Sequence, residues 1–200
     1  TASQDRLEKL IEERLKPGAN KEIIDDRIWD LFGEQWAVMF TDLSGFSRKV
    51  AEFGIIHFLQ IIYESQRIFI PCIDAHDGIL LKMEGDSMLV IFRKAPKAIE
   101  CAINMQKTAK SYNKDKPEEE KILLCVGLGF GEMLRIGDSD VFGPEVNAAS
   151  KLGEDTAKAW EILVTISVKD ACSKMTGINF EKIDDAPPGA DEAFKLNYQL

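Results

Sequence analysis

The chain has 200 residues, 45% of them hydrophobic and 30% charged, with a formal net charge of −9. That is enough for one ordinary domain, or one domain with a helical extension, and the composition is that of a folded globular protein. The acidity argues against a protein whose main task is gripping nucleic acid, because displacing counterions takes a basic face; a nucleotide can still be held where cations are concentrated locally.

Residues 1–33 read as surface helices. Leu7, Leu10, Ile11 and Leu15 recur at helical spacing among charges until Pro17-Gly18 breaks the run. Ile23, Ile24, Ile28, Leu31 and Phe32 mark a second helix over Lys21–Phe32. The pair is either an amphipathic cap on the main domain or a relay from an upstream partner. From Trp36 the character changes. Trp36–Thr41 is a short apolar run closed by Asp42, a buried strand, and a long helix follows from about Ser44. The runs Gly78–Met83 and Ser87–Phe92 are separated only by Glu84, Gly85 and Asp86, which is hairpin spacing with glycine at the turn. Then come a helix over Pro96–Tyr112, a charged loop over Asn113–Lys121 and a strand over Ile122–Phe130. A short helix around Val146, a strand over Glu161–Thr165, another helix and closing strands near Ile178 and Tyr198 complete the chain. The order β-α-β-β-α-β across residues 36–130 is that of a ferredoxin-like unit, so the predicted class is α+β, an antiparallel sheet with helices packed on one face.

No stretch has the roughly 18 uninterrupted apolar residues of a membrane span. The richest, Phe53–Ile73, is broken by His57, Gln60, Glu64, Gln66 and Arg67 and reads as a core helix. The N-terminus has no signal-peptide pattern. Cys72, Cys101, Cys125 and Cys172 are widely spaced, as expected of free thiols in a reducing compartment. His57 and His76 sit in a helix and a turn and are expected to pack there. The chain opens on Thr1 and not on Met, so we expect part of a longer protein, with a regulatory domain upstream.

The chemistry concentrates at two acidic turns. Asp42 closes a strand, and Ser44-Gly45 opens the next helix, whose first amides favour an anion. Alone, Asp42 or Ser44 is as simply explained as a helix cap, and Asp86 in Glu84-Gly-Asp-Ser87 as an ordinary turn residue. Together they say more, because the first and third strands of a β-α-β-β unit are neighbours at the sheet centre. Asp42 and Asp86 then converge, and two close carboxylates repel unless a cation lies between them; hard oxygens suit Mg²⁺ or Mn²⁺. Such a pair is what two-metal phosphoryl chemistry requires.

Three segments resemble the class III adenylyl/guanylyl cyclases, over roughly residues 36–200. Phe40–Ser47 is similar to the family's first metal motif, Lys82–Phe92 to its K-x-x-G-D hairpin, and Asp140–Leu152 to its D-x-[WF]-G-x-x-V-N-x-A-[SA]-R segment. The resemblance implies an N-terminal helical extension over 1–35 and a catalytic domain over 36–200 that makes 3′,5′-cyclic AMP and pyrophosphate from ATP. It implies Asp42, Asp86 and the Leu43 carbonyl as ligands of two divalent cations, Mg²⁺ or Mn²⁺. Ser44, Gly45 and Phe46 would lie against the substrate. Lys82 and Asp140 would read the purine; Lys can donate to adenine N1 and Asp can accept from its amino group, so ATP is favoured over the alternative, GTP. Asn147 would orient the ribose and Lys151, four residues on along one helix face, would meet the α-phosphate. The family builds its sites between subunits, which implies a homodimer, and no nucleic-acid partner is expected. The catalytic domain is expected in the cytoplasm, and the full-length protein is compatible with a membrane anchor upstream.

The sequence departs from the family twice. Lys151 stands where the family usually has Arg, which supplies the charge without the guanidinium fork. The late V-K-G-K-G stretch is replaced by Pro188–Phe194, and aligning Asn197–Leu200 on the closing strand puts Ala190 where the triphosphate-binding Lys belongs. Lys182 and Lys195 are the nearest substitutes in sequence. Low activity, or dependence on an upstream activator, is the natural consequence. The rival reading is a cyclase-like module that binds nucleotide or dimerises without catalysis.

Overall fold

The computed structural model describes residues 1–188 and 192–200. Helices α1 (Ala2–Leu15) and α2 (Lys21–Phe32) each open on a side-chain cap: Thr1 accepts from the Gln4 amide and Asn20 from the Ile23 amide. Ion pairs Arg14–Asp25 (2.6 Å) and Arg27–Glu13 (2.8 Å) tie the two together. Their apolar sides, Leu10, Ile24, Ile28 and Phe32, close over Ile136.

Strand β1 (Gly33–Leu43) follows α2 directly, starting three residues before the apolar run at Trp36. It runs antiparallel between β3 (Ser87–Phe92) and β4 (Leu124–Ile136), and β2 (Ile79–Glu84) lies outside β3. The expected β-α-β-β-α-β unit is therefore present, with β1 at its centre. Both faces of β1 are covered, which is why its sequence is continuously apolar and not alternating. Ala37 and Met39 join the cluster with Phe69 of α4 (Ile55–Ala75) and Ile99 and Met105 of α5 (Ala95–Asn113). Trp36 and Val38 pack against Val146 and Ala149 of α6 (Pro144–Ser150).

The described residues form one eight-stranded sheet in the order β2-β3-β1-β4-β6-β8-β7. Its second half comprises β6 (Ile162–Thr165), β7 (Asn179–Ile183) and β8 (Ala193–Asn197). Helix α7 (Ile166–Ala171) follows β6, and a short β5 (Asp140–Phe142), not foreseen from the sequence, pairs with β4. One expectation needs correction, and two features lie beyond the antiparallel unit expected over residues 36–130, which is present. The helix after Asp42 is two helices, α3 (Phe46–Phe53) and α4, because Gly54 at φ 87° takes a conformation that L side chains rarely adopt. The sheet is not wholly antiparallel: β6 runs parallel to β4, since the chain crosses over through β5 and α6 before returning. Nor do all helices share a face, because α6 lies opposite α4 and α5.

The seat of α6 is made of glycine. Gly127, Gly129 and Gly131 alternate along β4 and so share one face. A Cβ at Gly127 would lie 2.3 Å from the Gly153 amide nitrogen and 2.4 Å from the Ala149 carbonyl oxygen, and one at Gly129 would lie 2.4 Å from the Glu145 carbonyl oxygen. Helix α6 and the π-helical turn that continues it (Lys151–Thr156) thus rest directly on strand backbone.

Candidate active site

Pairing of Thr41 with Met88 sets the end of β1 beside the β2–β3 turn. There the Leu43 amide donates to both acidic side chains, to Asp42 Oδ1 at 2.9 Å and to Asp86 Oδ2 at 3.1 Å. The convergence expected from topology is present. Capping, the simpler account of Asp42 and Ser44, does not occur: the N-cap of α3 is Gly45, at φ 72°, with no side-chain cap bond. Burial, then hydrogen bonding to Asp86 and repulsion from it, push the Asp42 carboxyl up to about 8. In the protein alone the pair is eased by a proton, and a divalent cation would take that proton's place. The donor chemistry therefore fits a hard cation.

Asp42, Asp86, Ser44–Phe46 and Arg48 line a cleft of about 450 Å³. The Ser44 amide is not free for an anion, because it donates to the Leu123 carbonyl at 2.8 Å. The first amide of α3 to bond backward is that of Lys49, to Gly45 at 3.1 Å, so the amides of Phe46, Ser47 and Arg48 open the helix without partners inside it. Arg48 was not foreseen from the sequence, and neither were Cys125 and Glu154, which also line the cleft. Cys125 faces Asp42 across the β1–β4 ladder, its thiol pushed up to about 12 by burial first and then by Asp42. Glu154 comes in from the π-helical turn, its carboxyl raised by burial and by Asp155 and Glu84. Only the packing of that turn on β1 brings Glu154 here, and no local motif marks it.

Lys82 and Asp140, 58 residues apart in sequence, meet at 3.0 Å between Nζ and Oδ1, and Lys82 also lies 3.4 Å from Glu84. The hydrogen bond to Asp140 raises the Lys82 pKa and holds the ammonium charged. A register shift between Leu80 and Lys82 aims this lysine, setting it opposite Leu89 on the face that also carries Asp42. Asn147 is exposed on α6. Lys151, the C-cap of α6, keeps right-handed helical angles and its amide bonds back to the Asn147 carbonyl, so the expected i, i+4 spacing holds where the π-helical turn begins. Its Nζ pairs with Asp155 at 3.2 Å, and neither Asn147 nor Lys151 lines the cleft of this single chain.

Ala190 lies outside the described residues. The two lysines that could substitute for the missing one are occupied: Lys195 pairs with Glu161 at 3.3 Å and Lys182 with Glu192 at 3.0 Å. His57 bonds the Glu119 carbonyl at 2.7 Å and His76 the Cys72 carbonyl at 2.8 Å, both as packing residues. Among the described residues no helix is long and apolar enough to cross a membrane.

A ferredoxin-like sheet extended by a parallel strand, with two carboxylates converging at the end of its central strand, is the architecture of a class III nucleotidyl cyclase domain. The chain belongs to that family: residues 33–190 match the adenylate and guanylate cyclase catalytic domain. It is 29% identical over 144 residues to putative adenylate cyclase 3 of Rhizobium meliloti, covering 72% of this chain and 24% of that protein. The curated relatives it matches are thus much longer, and the chain spans between 16% and 38% of their length. The adenylyl cyclase CyaB from P. aeruginosa superposes with a TM-score of 0.70 at 20% identity, covering 84% of this chain and 96% of that one. The guanylate cyclase domain of RhGC from Catenaria anguillulae, in complex with GTP, superposes with a TM-score of 0.70 at 17% identity, covering 84% and 98%. At these identities the two structures establish the fold alone.

Proposed function

We propose that the domain converts ATP to 3′,5′-cyclic AMP and pyrophosphate by in-line attack of the ribose 3′-hydroxyl on the α-phosphate. The observation that carries this reading is the convergence of Asp42 and Asp86 on one amide at the mouth of a cleft. Among the described residues no group of three or more His, Cys, Asp or Glu side chains is poised to hold a metal by itself. The two carboxylates would therefore be completed by the Leu43 carbonyl and by substrate phosphates, as Mg²⁺ and Mn²⁺ sites commonly are. Two such ions, when bound, activate the attacking hydroxyl and shield the phosphates.

The chain's own residues bind and orient. Lys82 donates to adenine N1 while Asp140 accepts from the exocyclic amine; their 3.0 Å pairing in the free chain keeps donor and acceptor side by side. The amides of Phe46, Ser47 and Arg48 favour phosphate at the start of α3. Asn147 holds the ribose, and Lys151, released from Asp155, faces the charge that builds on the α-phosphate. Asn147 and Lys151 stand outside the cleft of their own chain, which supports a head-to-tail homodimer in which each chain completes its partner's site. Helices α1 and α2 then form an extension before the catalytic domain, which begins with β1 at Gly33 and not at residue 36, and they are placed to receive a signal from a regulatory domain upstream.

The experiment is incubation of the protein with each nucleoside triphosphate and Mn²⁺, with product identified by mass spectrometry, beside an Asp42→Ala control. Cyclic AMP from wild type and none from the control is expected. Cyclic GMP as the main product would overturn the base assignment and keep the cyclase, whereas no cyclic product from any triphosphate would favour the binding module.

A further inference from the structure

The cleft beside Asp42 and Asp86 is acidic, but not wholly so. Its lining holds three carboxylates, Asp42, Asp86 and Glu154, and one cationic side chain, Arg48. Arg48 is exposed in the first turn of α3, and none of the ion pairs among the described residues includes it. Helix stability does not account for a cation there, since the first turn carries the positive end of the helix dipole and disfavours positive side chains. The adjacent Lys49 is occupied, its Nζ bonded to the Lys121 carbonyl at 3.0 Å. Lys182 and Lys195 are paired with Glu192 and Glu161.

We infer that Arg48 binds the terminal phosphates of the substrate, doing the work of the late lysine that this sequence replaces with Ala190. The inference rests on the reading of the cleft as a triphosphate site. A guanidinium is suited to it: its planar fork meets two phosphate oxygens at once and never loses its charge. The acidic cleft also needs such a group. Cations held between Asp42 and Asp86 are partly neutralised by those carboxylates, so the β- and γ-phosphate charge calls for a positive partner of its own. Arg48 comes from the same chain as the two aspartates. Each chain would then hold the triphosphate with its own residues, and the partner would supply base and ribose recognition.

The test uses 3′-deoxyadenosine tri- and monophosphate, which lack the attacking hydroxyl and cannot turn over, titrated calorimetrically into protein with Mn²⁺. Wild type is expected to prefer the triphosphate. Arg48→Gln should weaken triphosphate binding about 10- to 100-fold, the loss of a charge-assisted bond pair, while monophosphate binding changes less than about 3-fold. Arg48→Lys should fall between. Folding is not at issue at this exposed first-turn position, and the Tm of Arg48→Gln should match or exceed that of wild type. If Arg48→Gln binds the triphosphate as tightly as wild type does, Arg48 has no such role and the cyclase reading stands. If wild type itself does not distinguish the two nucleotides, the triphosphate site is wrong, and the inference falls with it.

Discussion

The glycine seat of α6 gives the most direct test of how the strand backbone positions this face. Gly127→Ala and Gly129→Ala each place a methyl group 2.3–2.4 Å from backbone atoms of α6 or the turn after it. Ordinary contact needs about 3.5 Å, so the helix must retreat by about 1 Å. A retreat loosens Val146 and Ala149 against Trp36, Val38 and Met133. It also stretches the bonds by which Glu145 Oε1 accepts from the Phe130 amide (3.0 Å) and the Thr165 hydroxyl (2.7 Å). Overpacking of this kind costs about 1–3 kcal/mol and weakened hydrogen bonds about 1 more, together about 2–4 kcal/mol. For a chain of this size that is a Tm lower by about 4–16 °C. Gly131→Ala is the internal control. Its methyl group would meet only side-chain carbons of Glu145, Cγ at 3.2 Å and Cβ at 4.0 Å, which need give by only a few tenths of an ångström, and the cost should stay under about 1 kcal/mol. Thermal and urea denaturation of the three variants gives the ranking, and cyclisation should fall about 100-fold in the first two, because Asn147 and Lys151 ride on the displaced segment. Equal damage from all three, or none from Gly129→Ala, would refute the close-contact explanation.

Two further outcomes are expected. Because the Asp42 carboxyl is raised in the folded protein, folding binds its proton, so this contribution is complete below the ordinary carboxylate range and is lost as pH rises from about 4 to about 8. Discounted for partial exposure, the loss is on the order of 1 kcal/mol, or about 2–4 °C in Tm; it should be smaller in Asp86→Asn, and Mn²⁺ should restore it at pH 8 and not at pH 5. A Tm difference between wild type and Asp86→Asn that is flat with pH would remove the shared-proton account. If the site is split between chains, mixing inactive Asp42→Ala with inactive Lys82→Ala protein should recover up to about a quarter of wild-type activity, since half of randomly paired dimers are mixed and each has one intact site. A mixture that stays inactive despite subunit exchange shown by light scattering or native mass spectrometry would exclude the shared site.

Much of this was legible in the sequence, for a physical reason. Apolar runs of strand length, a glycine turn between two of them and helical spacing elsewhere are local signals, and the order β-α-β-β-α-β admits few sheets. That order alone put Asp42 beside Asp86, because both sit at the same end of neighbouring strands. The glycines at 127, 129 and 131 were also a local signal, a period of two in a strand, whose meaning appears only once α6 is seen against them. What tertiary structure decided is contact between elements far apart in the chain. The register shift before Lys82 turns that lysine toward Asp140. Gly54 divides one expected helix in two. Arg48 and Glu154 enter the cleft for the same kind of reason: a charged side chain on a helix or turn looks alike in sequence whether it faces water or a site, and only the packing of its backbone on the sheet decides which.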